Sequence, residues 1–113
     1  MNIQIFGTKK CNETKKAERF FKERGIKYQF IDMKEKGLSK GEFNAVCQAV
    51  GGYEKLIDPD CRDKDLLALI RYIAEEDRAE KILENQKVIK LPVVRNGKQA
   101  TVGYVPDIWK NWK

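Results

Sequence analysis

The dipeptide Asn96-Gly97 does most to limit how this chain can fold. Pro92 to Arg95 lies before it and Lys98 to Val102 after it, two short runs of strand-forming residues joined by the turn dipeptide most typical of a two-residue hairpin. Pro106 then suits the first position of a closing helix, whose apolar residues Val105, Ile108, Trp109 and Trp112 recur at spacings of three, four and seven. The chain is therefore predicted to end strand, strand, helix.

The other end carries a different signature. Ile3, Ile5 and Phe6 make a short apolar run halted by Gly7, which reads as a buried strand. The spacing of Ala17, Phe20 and Phe21 predicts a helix over 12–24 with Gly25 in the stop position, and Tyr28, Phe30 and Ile31 predict a second strand. A strand, a helix and a strand within ~30 residues form a βαβ unit, whose crossover is right-handed and whose strands are parallel.

Between these halves the pattern is helical. Ser39-Lys40-Gly41-Glu42 is a capping box, followed by Phe43, Val46, Cys47 and Val50 on one face and by Gly51-Gly52 as the stop. Asp63 is placed to cap a helix carrying Leu66, Leu67, Leu69, Ile70 and Ile73, and Glu75-Glu76-Asp77 suits the start of another with Ala79, Ile82 and Leu83 inside. The order βαβ, helices, ββα gives an α/β fold of the thioredoxin type, a mixed four-stranded sheet with an inserted helical subdomain. In such sheets reactive groups gather where the first strand ends and the first helix begins.

A chain of 113 residues, 42% hydrophobic and 35% charged, has room for one core and one domain. Its net charge of +6 is unevenly spread: residues 1–38 carry ten basic against five acidic, 87–113 six against one, and 39–86 seven against eleven. That partition places a thioredoxin-like core in 1–38 and 87–113 and the helical insertion in 39–86, although scattered basic residues also serve solubility alone. No run approaches the ~18 apolar residues of a membrane span, and the start lacks a basic flank with an apolar signal core. With no histidine, histidine-dependent triads and histidine-ligated metals are excluded. Three cysteines cannot all pair within the chain, and none has zinc-site spacing, so a reducing, cytoplasmic setting is expected, with no metal.

Cys11 falls at the predicted helix start. Unpaired backbone N–H groups and the positive end of the helix dipole favour thiolate there. Lys9, Lys10, Lys15 and Lys16 push the same way and Glu13 pushes back. Thr14, three residues on, is placed to aim its hydroxyl at the sulfur, where a C-x-x-C oxidoreductase would carry a second cysteine. Cys11 must then work through a mixed disulfide resolved from elsewhere. Cys47, on the apolar face of its helix, reads as structural. Cys61, after Asp58-Pro59-Asp60, reads as a less buried loop or helix-start residue and a candidate resolving thiol, with Arg62 beside it a surface residue. Leu91-Pro92 is a candidate cis peptide beside the reactive helix start, and Tyr104 either lines the site or caps the sheet.

The run Phe6-Gly7-Thr8-Lys9-Lys10-Cys11-Asn12-Glu13-Thr14-Lys15-Lys16-Ala17, with Leu91-Pro92-Val93-Val94, Gly97, Gly103 and Tyr104, resembles the arsenate reductase (ArsC) and Spx family over essentially the whole chain. The resemblance implies Cys11, Thr14 and Lys15 as catalytic residues and Lys10, Asn12, Leu91, Pro92 and Tyr104 as substrate-binding ones. It also implies no bound cofactor, with glutathione or another thiol as co-substrate and glutaredoxin as a partner. Glutaredoxin-linked arsenate reductases place arginines around the oxyanion. The apparent counterparts here are Asp58, Leu91 and Tyr104, so efficient arsenate reduction is not expected. Spx regulators bind RNA polymerase and often switch through C-x-x-C, which Thr14 forbids.

Two functions follow. The first is a thiol-dependent reductase using Cys11 alone, closest to the ArsC-like proteins with a single cysteine at the helix start. The second is an Spx-like protein that binds RNA polymerase through its basic face without turnover. Direct nucleic-acid reading is not expected, since no helix gathers Arg with Asn or Gln, and the protein is expected to be monomeric.

Overall fold

The structure is a computed structural model and describes residues 1–113. In chain order its strands are Ile3–Gly7 (β1), Tyr28–Asp32 (β2), Val93–Asn96 (β3) and Gln99–Val102 (β4). Its helices are Asn12–Glu23 (α1), Lys40–Val50 (α2), Lys64–Tyr72 (α3), Glu75–Glu84 (α4) and Pro106–Trp109 (α5), with 3₁₀ turns at Tyr53–Leu56 and Gln86–Val88. The strands form one sheet in the order β2-β1-β3-β4. β1 and β2 are parallel, with Ile3 opposite Tyr28, whereas β3 runs antiparallel to both β1 and β4. This is the expected mixed α/β sheet.

Local rules set most of the boundaries. α1 buries Ala17, Phe20 and Phe21 and ends where Gly25 takes φ +67°. α2 begins at a complete capping box, Ser39 Oγ accepting from Glu42 N and Glu42 Oε1 accepting from Ser39 N, and stops at left-handed Gly51. Asp63 caps α3 by accepting from Leu66 N at 3.0 Å.

Side chains alternate along a strand, so β1 sends Ile3 and Ile5 to one face of the sheet and Phe6 to the other. The first pair packs with Ala17, Phe20, Phe21, Val94 and Trp109. Phe6 packs with a larger aliphatic set from the middle of the chain, including Phe43, Val46, Leu67, Ile70 and Ile82, together with Val93. The acidic segment thus shares a core with the strands. Its two ends are tied by Gln86, whose side chain accepts from Leu38 N and donates to Leu38 O, both at 2.8 Å.

Three expectations change. The hairpin turn is Gly97-Lys98: Asn96 remains in β3 opposite Gln99, and Gly97 alone has positive φ, +61°. Tertiary bonds draw Asn96 into the strand, its Oδ1 accepting from Asn2 N and its Nδ2 donating to Gln99 Oε1 and Lys113 O. Leu69 and Ile108 are exposed, because α3 and α5 are short and each buries a narrow stripe, Leu67 with Ile70 and Trp109 respectively. No helix is long and apolar enough to cross a membrane.

Candidate functional site

β1 ends at Gly7, and a tight turn carries the chain into α1, with Cys11 N donating to Thr8 O at 3.2 Å. Cys11 is the N-cap of α1 in extended conformation. Its carbonyl accepts from Lys15 N at 3.1 Å, and its side chain makes no capping hydrogen bond. Cys11 is half-buried, at a helix start whose first N–H groups take no side-chain acceptor from it. Lys9, Lys10, Asn12, Lys15 and Lys16 are all exposed around it. Glu13, the opposing acid, is held by Lys16 at 3.4 Å.

Thr14 departs from expectation. Its hydroxyl is fully buried and makes no hydrogen bond, to Cys11 or to any other group. Its side chain occupies the space where a Cβ at Gly7 would stand, so it locks α1 against β1. The i+3 spacing from Cys11 was the legible signal, but that spacing points equally toward the strand beneath.

Strand register brings the rest of the site to this end of the sheet. Phe6 lies opposite Val93 and Val93 opposite Val102, so Pro92 and Tyr104 come to the same end of the sheet as the Cys11 turn. The Leu91-Pro92 bond is cis, as the sequence suggested, and Pro92 is buried, its carbonyl accepting from Gly103 N at 2.8 Å. Tyr104 sits between α5 and α1. It packs edge-on against Trp109 with ring centroids 5.6 Å apart, and its exposed ring lies 5.8 Å from Lys16 Nζ.

A groove of about 400 Å³ opens beside the turn, lined by Thr8, Met33, Lys34, Gln86, Lys87, Ile89 and Leu91. Of these only Leu91 had been singled out. Met33 arrives because its N–H donates to Gly7 O at 2.8 Å, continuing the β1–β2 pairing one residue past the end of β2. The larger hollow of about 610 Å³ between Glu18, Lys22 and Tyr28 is an open trough at the far end of α1, away from Cys11.

Of the other two cysteines, Cys61 is buried and Cys47 half-buried. Cys61 is 9% exposed, not the accessible loop thiol expected, and its Sγ lies 3.6 Å from Lys87 O. The chain is drawn inward here by paired backbone bonds, Asp58 N to Val88 O and Lys90 N to Leu56 O, both at 2.7 Å. Cys47 packs against the same cluster, and burial pushes its thiol up. All three cysteines are free. Lys87 reaches outward to Asp63 at 2.7 Å, which holds the Asp63 carboxyl below its usual range. Arg62 is exposed, and the groove's cations are Lys34 and Lys87.

The family model described as "ArsC family" matches residues 6–112. The chain belongs to the ArsC family. This ArsC-family chain is 25% identical to the uncharacterized protein YusI of Bacillus subtilis, over 99% of both chains. It is also 25% identical to the global transcriptional regulator Spx 2 of Oceanobacillus iheyensis, over 100% of this chain and 94% of the relative. An arsenate reductase from Vibrio cholerae has the same fold, with a TM-score of 0.80 at 22% identity over 96% of this chain and 94% of that one. The thioredoxin-like fold of this ArsC-family member is thus supported from both directions, and the Cys11 turn lies inside the matched span.

Proposed function

We propose that this ArsC-family protein is a cytoplasmic monothiol reductase that works through Cys11, with glutathione or a similar external thiol as reductant. The observation that carries the reading is the half-exposed Cys11 N-cap, free of any capping bond and set between exposed lysines and the groove bounded by Thr8, Lys87 and Leu91. The Cys11 thiolate attacks one sulfur of a substrate disulfide, forming a mixed disulfide and expelling the other sulfur as a thiolate that takes a proton from solvent. The external thiol, as thiolate, then attacks the substrate-derived sulfur. Cys11 thiolate is released, and the substrate sulfur leaves as a mixed disulfide with the external thiol. A second equivalent of that thiol, as thiolate, attacks the reductant's sulfur and frees the remaining substrate thiolate, so two external thiols become one disulfide as the substrate disulfide becomes two thiols.

Burial of Cys61, and the half-buried place of Cys47 in the aliphatic cluster, favour an external resolving thiol over an internal one. Lys10, Lys15 and Asn12 serve the approach of an anionic substrate, and Leu91, Pro92 and Tyr104 shape the mouth. Thr14 acts by holding the helix. Arsenate is a poor substrate in this reading because no arginine lines the groove to hold a buried oxyanion. Cys11→Ser should reduce disulfide turnover with glutathione to the uncatalysed background while leaving the urea midpoint unchanged. Full activity in that variant would exclude the mechanism.

The full-length likeness to Spx 2 favours a second reading, a regulator whose exposed Lys15, Lys16, Arg19 and Lys22 dock on an acidic surface of RNA polymerase. Absence of binding to purified RNA polymerase at low salt would remove it.

A further inference from the structure

At the end of the sheet opposite Cys11, the β3–β4 turn and the outer side of α2 enclose a cleft of about 460 Å³, lined by Ala45, Gln48, Ala49, Arg95, Gly97 and Lys98. The cleft is shaped by what is small. Ala45 and Ala49 stand one helical turn apart on α2, and a Cβ at Gly97 would meet nothing within 4 Å.

Arg95 dominates its chemistry. The side chain is only 19% exposed, yet a single guanidinium nitrogen is bonded, Nη1 donating to the neutral Gln4 Oε1 at 3.1 Å. The nearest carboxylate oxygen, Glu42 Oε2, is 3.8 Å from Nη1, beyond the length of a charge-assisted hydrogen bond, and the other oxygen of Glu42 is engaged by Ser39 N. The remaining N–H groups of the fork have no acceptor within the protein. Lys98 adds a second cation at the rim and Gln48 an amide, so Arg95, Lys98 and Glu42 together leave one net positive charge.

We infer that this cleft binds a small organic phosphate monoester, at a site separate from Cys11. A guanidinium fork with free N–H groups matches the oxygens of a phosphate, and a neighbouring lysine supplies the second charge. The volume exceeds what one phosphate fills, and the Ala45–Ala49 wall offers an apolar surface to the organic part.

The test follows backbone amide shifts on titration with inorganic phosphate and, separately, with phenyl phosphate. Saturable shifts are expected at Ala49, Arg95, Gly97 and Lys98, with phenyl phosphate binding about tenfold more tightly, as roughly 1.4 kcal/mol from the apolar wall would give. Lys98→Gln should weaken binding about tenfold, and Arg95→Gln more. Because Arg95→Gln also removes the bond to Gln4, Ala45→Glu provides a control that leaves Arg95 in place and sets a carboxylate in the cleft. It should abolish the shifts in a protein whose circular dichroism is unchanged. Cys11→Ser should bind as the parent does. Shifts confined to the start of α1, shifts insensitive to Ala45→Glu, or phenyl phosphate binding no tighter than inorganic phosphate would each overturn the assignment.

Discussion

The two faces of the sheet are packed by different means. On the α1 and α5 face three aromatic rings do most of the filling. Phe20 and Phe21 lie with centroids 5.0 Å apart, each 5.3 Å from Trp109, whose Nε1 donates to Thr101 Oγ1 at 2.7 Å. The opposite face is covered by short helices and 3₁₀ turns, which contribute seven of the twelve buried side chains of its cluster, most of them aliphatic. Rings packed edge-on or tilted against one another, with the indole pinned by a hydrogen bond, seat α1 closely on the sheet. Cys11 inherits that seating because it begins the same helix. Cys61 and Cys47 belong to the aliphatic face, where the same thiol group serves as packing.

If the aromatic face concentrates stability, Trp109→Ala should show the largest loss, about 3–5 kcal/mol, since it opens a cavity and orphans the Thr101 hydroxyl. Ile82→Val on the other face should cost about 1 kcal/mol. Urea denaturation of both variants measures the contrast, and similar losses would erase it.

Next in size is Gly7→Ala. The new methyl would collide with Thr14 and push α1 off β1, costing about 1–3 kcal/mol. Turnover at Cys11 should fall with it, because the helix start moves relative to Pro92. Unchanged kinetics in a destabilised protein would separate the position of Cys11 from the seating of α1.

Thr14→Val keeps the shape that fills the Gly7 gap and removes a buried hydroxyl with no partner, so thermal unfolding should show a gain of about 1 kcal/mol. Retained turnover is expected. Lost turnover would restore a chemical role for the hydroxyl.

The smallest effect belongs to the exposed pair Asp63–Lys87 at the edge of the aliphatic face. The hydrogen bond from Lys87 is the main cause of the lowered Asp63 carboxyl, with Leu66 N second. A carboxylate more acidic in the folded state contributes stability above its unfolded range near ~3.9 and loses it as pH falls through the lower folded value. Urea midpoints of the parent and Asp63→Asn should therefore differ at pH 6 and converge as pH drops below 3.

What the sequence determined by itself lies within a few residues of the groups that caused it. The inner face of α1, its stop at Gly25, the Ser39–Glu42 box and the Asp63 cap all follow from local spacing and backbone freedom, and so does the place of Cys11 at a helix start. The tertiary structure decided what depends on distant partners. Asn96 stays in β3 because Asn2, 94 residues away, binds it. Leu38 and Gln86 join across 48 residues, and Cys61 is enclosed by a turn 26 residues further on. The groove beside Cys11 combines Thr8 and Met33 with Lys87 and Leu91. Helical period and capping chemistry act through neighbours along the chain, whereas burial and pocket shape are set only when separate segments meet.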